Sequence, residues 1–273
     1  MLFRIELTKL WRKPRTYIGF AGMAAIVGLM FVGMKFGHPF RHVEQTLERN
    51  FIVAGSFLNA EFIALHLMAG VVFTFLPLFT AMVFGDLIAS EAADGTMRSM
   101  LCRPVSRIGV GLAKYVTGAG YVIALAFGTG LGAFLAGWLF FGKGSLVTLN
   151  SGIWVFREAD AIPRLIAAYG LAAVAMLAVG SIAFALSSFL SNANGAIIGA
   201  MVVMYGLAVV GEIDYFDPIK PFLFTSYMDS WRELFVNPVD MAEVRHAVGI
   251  MLAYAAAFCT IGLFIFRRKD VLS

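Results

Sequence analysis

Long apolar runs alternate with short polar stretches along this chain. Six runs are long enough to cross a bilayer, at residues 17–34, 62–85, 116–141, 165–190, 196–211 and 247–266. The fifth is the shortest. A spanning helix needs about 20 apolar residues, each rising about 1.5 Å. Inside lipid the backbone must satisfy its own hydrogen bonds, which selects helices. A β-barrel would show alternating segments of about 10 residues, and these runs do not alternate. The pattern predicts an all-α polytopic membrane protein with six transmembrane helices, one transmembrane domain over residues 1–273. The first run is expected to stay as an anchor. It is too long for a cleavable signal, and no small-x-small cleavage site precedes Lys35 and Arg41.

The polar stretches carry their own patterns. Residues 1–15 predict an N-terminal amphipathic interface helix. Phe3, Leu7, Leu10 and Trp11 recur at helical spacing, with Arg4, Lys9, Arg12 and Lys13 elsewhere on the wheel. Pro14 breaks that helix and disfavours helix at Lys13. Trp11 belongs at headgroup level, and the helix is placed to meet a partner. In the first loop, Val43, Leu47, Phe51 and Ala54 suggest a short amphipathic piece on the membrane. The uncharged link 191–194 predicts an antiparallel helix pair. Prolines and aromatics in the outer loop 212–246 predict short broken helices.

Residues 90–104 are the most informative polar stretch. The second run can continue as helix through Ala89, Glu91 and Ala92, and Gly95 is placed to end it in the left-handed conformation. Thr96 can cap a second short helix over residues 97–101, with Met97, Met100 and Leu101 as its apolar face. Pro104 stops it, and Ser106 can cap the next helix. A short helix held crosswise at the membrane surface could take a push from a partner and tilt the spans attached to it.

Composition sharpens the picture. Hydrophobic residues make up 60% of the chain and charged residues 14%, against about 25% charged in soluble domains. Arg4, Lys9, Arg12, Lys13, Arg15, Arg98, Arg103, Arg107, Lys114, Arg267, Arg268 and Lys269 crowd the three loops on one side. That bias puts both termini in the cytoplasm and reads these residues as topology and headgroup anchors. No nucleic-acid-reading module accompanies the charge, which excludes that class. Cys102 and Cys259 fall in a loop and in the sixth span, so a disulfide between them is not expected. His38 and His42 stand four apart, but no third metal ligand lies at a telling distance, Glu44 being the nearest candidate. His66 and His246 are expected to be hydrogen-bonded interfacial residues. The stretch 137–144 nearly spells a phosphate loop, but no Ser or Thr follows its Lys143 and its middle is bulky. Gly128 and Gly132, and Gly195 and Gly199, have the spacing that brings helices close, within one subunit or between two.

Glu91, Gly95-Thr96, Arg103-Pro104-Val105-Ser106-Arg107 and Lys114 resemble the cytoplasmic loop of the ABC-2-type permease family. Glu6-Leu7-x-Lys9 and the ending Phe266-Arg267-Arg268-Lys269-Asp270 extend the likeness. Leu101-Cys102-Arg103 departs from the usual Leu-Leu or Leu-Ser before the proline. The resemblance implies a transmembrane subunit of an ATP-binding-cassette transporter in the bacterial cytoplasmic membrane. Two such chains, identical or paralogous, would form the membrane core, with nucleotide-binding ATPase subunits docked beneath it. ATP and Mg would sit on those subunits, with no cofactor, metal or catalytic site in this chain. Glu91, Gly95, Thr96, Met97, Arg98, Leu101, Arg103 and Pro104 would form the coupling segment, and Glu6, Lys9, Leu10 and Trp11 the interface helix beside it. The substrate path would run at the dimer interface, mostly along spans one, two and five. The alternatives are a channel or secondary carrier working without ATP, or an integral membrane lipid-modifying enzyme. The chain contains neither HExxH nor Gly-x-Ser-x-Gly, and no convincing internal repeat.

Overall fold

The computed structural model describes residues 2–37, 58–71, 73–93, 95, 106–148, 152 and 154–269. A bend at Lys13 separates the first two helices, α1 (Leu2–Arg12) and α2 (Pro14–Gly37). Pro14 has no N–H to offer the Leu10 carbonyl one turn back. That carbonyl accepts instead from the Thr16 hydroxyl at 2.6 Å and the Lys13 N–H at 3.1 Å. Pro14 then opens α2 at the one helical position where a missing N–H is harmless.

The second apolar run divides into α3 (Ala60–Val71) and α4 (Phe75–Ala93), with Phe73 and Thr74 in a turn between them. This corrects the expectation of one continuous span over residues 62–85. Pro77 is the physical reason. It cannot donate to the Phe73 carbonyl, and its ring crowds that group. The Tyr205 hydroxyl donates to the same carbonyl at 3.1 Å. α4 runs on as helix past Gly85, as anticipated. Gly95 follows with φ +68°, and its N–H reaches the Ala92 carbonyl at 3.3 Å.

The remaining helices are α5 (Arg107–Phe141), α6 (Glu158–Phe189), α7 (Ala193–Glu212) and α8 (Met241–Arg268). Among the described residues, α2, α4, α5, α6, α7 and α8 are long and apolar enough to cross a membrane, while α3 is shorter. The protein is an all-α polytopic membrane protein. Helices α5, α6 and α8 begin well before the apolar runs that announced them; in α5 and α8 a side-chain cap and not hydropathy sets the start. The Ser106 Oγ accepts the Gly109 N–H at 3.1 Å, as its position predicted. Asn192 caps α7 and Asp240 caps α8 in the same way.

The core sits between α4 and α6. Helix α6 packs against α8, α4, α5 and α7, whereas α2, α7 and α8 leave most of their surface uncovered. Gly180 on α6 lets the fully buried Phe84 approach; a Cβ there would meet the ring at 2.7 Å. The Ser187 hydroxyl enters the backbone ladder of α4. It donates to the Gly85 carbonyl at 2.7 Å and accepts from the Ala89 N–H at 2.9 Å. Gly195 and Gly199 seat Leu190 and Leu186 of the same chain, while Gly132 meets nothing within 4 Å.

Both chain ends lie at one end of the bundle. Arg107 at the start of α5 donates to the Lys269 carbonyl beyond α8 at 2.7 Å. Lys269 Nζ donates to the carbonyls of Ser188 and Leu190, where α6 ends, and burial lowers its pKa from the ordinary lysine value. The distal end carries a two-stranded antiparallel hairpin that the sequence did not announce, β1 (Leu146–Thr148) and β2 (Trp154–Phe156). The outer loop folds there as four 3-10 turns, Asp214–Phe216, Lys220–Phe222, Phe224–Tyr227 and Ser230–Phe235. They are the short broken helices that the prolines and aromatics suggested, and they bury Phe224, Trp231 and Phe235. Arg164 donates to the Leu234 and Val236 carbonyls and lies over the Phe156 ring at 4.4 Å.

Candidate functional site: a ring of charges at the terminal end

Helix α1 presents Glu6 and Leu10, one turn apart, to the bundle. Phe3 and Trp11 of the expected apolar face are exposed. Trp11 stacks on Phe20 with ring centroids 6.2 Å apart. Glu6 is buried because a partner waits for it. Lys114 on α5 is 1% exposed, and its Nζ reaches Glu6 Oε2 at 2.8 Å and Glu91 Oε1 at 2.7 Å. Lys9 Nζ lies 3.0 Å from Glu6 Oε1 and 3.0 Å from Glu91 Oε1. The four side chains close a ring of two carboxylates and two ammonium groups, neutral as a whole. Burial works against the Lys9 charge, but the hydrogen bonds and charges of Glu6 and Glu91 outweigh it and hold its pKa above the ordinary lysine value.

A second cluster lies beside the first. Asp86 on α4 receives Lys13 at 2.7 Å and Arg15, and Lys13 also donates to the Ser90 hydroxyl at 2.9 Å. Residues 6 to 15 are thus fastened to α4 at Asp86 and Glu91, and to α5 at Lys114. The cavity among these groups holds only about 20 Å³, the room of roughly one water molecule. The cluster holds α1, α4 and α5 together and leaves no room for a larger molecule.

The structure brings together Glu6, Lys9, Leu10 and Glu91 of the anticipated site, and it places Gly95 at the end of α4. Thr96, Met97, Arg98, Leu101, Arg103 and Pro104 lie outside the described residues, as do Cys102, His38, His42, Glu44 and the amphipathic pattern from Val43 to Ala54. Sequence reasoning counted Lys9, Lys13, Arg15 and Lys114 among headgroup anchors. The structure corrects this, because buried carboxylates on α1 and α4 draw them inward. A signal for Lys114 was present. It falls on the stripe Val110, Gly111, Thr117, Gly118 and Tyr121, which faces the core. A lysine on a core-facing stripe needs a buried counter-charge.

At the distal end, the phosphate-loop look-alike forms the last turn of α5 and its exit. The Gly142 carbonyl accepts the Ala60 N–H at 3.0 Å. The buried Glu61 carboxylate accepts the Gly144 N–H at 3.2 Å. His66 Nδ1 bonds the Phe62 carbonyl at 3.0 Å, and His246 bonds the Tyr227 hydroxyl at 3.2 Å.

Comparison with known proteins adds a family. The model of the ABC-2 family transporter protein matches residues 2–206, from α1 into α7. "Uncharacterized protein YhcI" of Bacillus subtilis (strain 168) is 27% identical over 207 residues, 71% of this chain and 64% of that protein. The chain thus spans just under two thirds of the length of that curated relative. Matched over most of its length, and built from six candidate spans with a docked N-terminal helix, the chain belongs to the ABC-2 family of transporter proteins.

Proposed function

We propose that this chain is the membrane subunit through which ATP hydrolysis on a separate nucleotide-binding subunit drives export, or another conformational cycle, across the membrane. The observation that carries the reading is the closed ring of Glu6, Lys9, Glu91 and Lys114. It fastens α1 to the last turn of α4, at the start of the anticipated coupling segment 90–104, to which Glu91 belongs. A push on that segment would move α1 and the ends of α4 and α5 together, because opening the ring strands a buried charge. On this reading ATP and Mg belong to the partner subunit.

The uncovered helices suggest where a second copy, or a paralogue, packs. Ile18, Leu29 and Val32 on α2 and Ile198, Val202 and Val209 on α7 are exposed, and both helices pack on α4. A partner there would place the substrate path along α2, α4 and α7. The basic residues crowding the terminal end favour a cytoplasmic position for it, in the cytoplasmic membrane of a bacterium.

The test is co-expression with the cognate nucleotide-binding subunit, followed by reconstitution. A detergent-stable complex is expected. Glu91→Gln and Gly95→Ala should reach the membrane yet lose substrate-stimulated ATP hydrolysis. Normal coupling in both variants removes the role given to this segment. Substrate flux through the purified chain alone in liposomes, with no ATPase present, overturns the whole reading.

A further inference from the structure

A groove of about 470 Å³ opens between α5 and α6 in the distal half of the bundle. Its size lies within the ~300–1,000 Å³ of ordinary ligand sites. Phe127, Leu131 and Phe134 line one wall, a single stripe of α5, and Ile162 and Ile166 line the other. The floor is rigid. Gly130 lies so close to Tyr169 that a Cβ would meet the ring at 2.7 Å, and the Tyr169 hydroxyl is tied to the Ala64 carbonyl at 2.8 Å. Leu131 is 60% and Ile166 57% exposed, so the groove opens sideways. At that depth the surrounding medium is hydrocarbon.

The rim has a different character. Lys143, just beyond α5, closes the distal end of the groove. Its ammonium lies 5.5 Å from the Trp138 ring centroid, an arrangement suited to headgroup level. Glu158 sits 2.8 Å away and its hydrogen bond keeps Lys143 charged, raising its pKa. Both side chains of this pair are exposed, and such pairs exchange partners at little cost. Glu158 also opens α6, whose N-cap Arg157 makes no side-chain capping bond.

We propose that this groove is a fixed binding site for one phospholipid of the leaflet remote from the termini, with an acyl chain on the Gly130–Tyr169 floor and the phosphate held by Lys143. The apolar walls fit a hydrocarbon chain, and the single cation fits a phosphate where the chain emerges. The site is separate from the path along α2, α4 and α7, and it does not depend on ATP coupling.

Native mass spectrometry of the full-length protein in detergent tests this, before delipidation and after titration with phosphatidylglycerol. The unaltered protein should retain one phospholipid per chain. Ile166→Trp fills the groove from an exposed position and should weaken retention by about tenfold or more. Lys143→Gln should weaken it several-fold, and Leu139→Trp, at an exposed α5 position away from the groove, should leave it unchanged. Melting temperatures separate lost lipid from lost fold; if Ile166→Trp does not fold, Ile162→Trp takes its place. Equal retention by the groove variants and the unaltered protein would overturn the proposal. So would an occupant that is not a phospholipid, or an unaltered protein that carries none.

Discussion

Lys114 holds the carboxylates of Glu6 and Glu91 at 2.8 and 2.7 Å while itself almost wholly buried. Removing one member of such a group costs far more than the group contributes as a whole, because the remaining charges lose their compensation. Lys114→Met should destabilise the protein by about 3–5 kcal/mol, seen as a lowered unfolding temperature in detergent. Adding Glu6→Gln should return part of that loss, since one of the two stranded carboxylates is then neutral; strict additivity of the two changes would contradict the ring. Lys9 makes a pH prediction. Its pKa in the folded protein is raised, so its contribution is complete below the unfolded lysine value of about 10.4 and fades as pH rises through the higher folded value. Docking of α1, followed by Trp11 emission, should stay flat from neutral pH and loosen only in strong alkali. At this scale the sequence was partly legible. Glu6, Lys9, Glu91 and Lys114 stood out through family likeness, whereas the pairing of Lys114 with one carboxylate 108 positions away on α1 and another on α4 leaves no local trace.

Two helix interruptions follow one rule. Pro14 leaves the Leu10 carbonyl without its usual donor, and Pro77 does the same to Phe73. In each case a hydroxyl supplies the missing bond, Thr16 within the turn and Tyr205 from α7. The Pro14 break was readable because polar residues surround it. The Pro77 break was not, because hydropathy averages across a proline set in Phe, Leu and Thr. A double-mutant cycle tests the second case. Tyr205→Phe should cost about 0.5–1.5 kcal/mol in the unaltered protein. It should cost close to nothing once Pro77→Ala has restored the backbone donor. Spin labels on α3 and α4 should report a straighter pair in Pro77→Ala, and an unchanged distance would argue against the proline as cause. The hairpin β1–β2 also escaped notice, since strands of three residues between two spans are too short for any alternation to show.

The number of spans, their helical nature and the common end of both termini were all legible, because bilayer thickness and backbone self-sufficiency constrain them so tightly. Which helix sits at the centre was not. All six are apolar, and only packing distinguishes the mostly buried α4 and α6 from the mostly bare α2, α7 and α8, of which α2 and α7 both pack on α4. That contrast predicts an assembly. In a chain with Cys102 and Cys259 replaced by alanine, Val202→Cys on the bare face of α7 should form an oxidant-dependent cross-link to a second permease chain. Leu139→Cys, on α5, should not. Cross-linking at Leu139 alone would move the interface to α5.

Ser187 gives α4 a place to flex. Its hydroxyl donates to the Gly85 carbonyl and accepts from the Ile88 and Ala89 N–H groups. All three bonds can be surrendered in a single rotamer change of Ser187. The pivot lies between the core, where Phe84 is wedged against Gly180, and the turn that bears Glu91. The final turn of α4 could therefore swing with its charged cargo while the wedge stays seated. Ser187→Ala should abolish this freedom, giving a protein of similar fold whose α4 no longer bends between residues 85 and 89. Spin-label distances across that turn that still vary in the alanine variant would show that the pivot lies elsewhere.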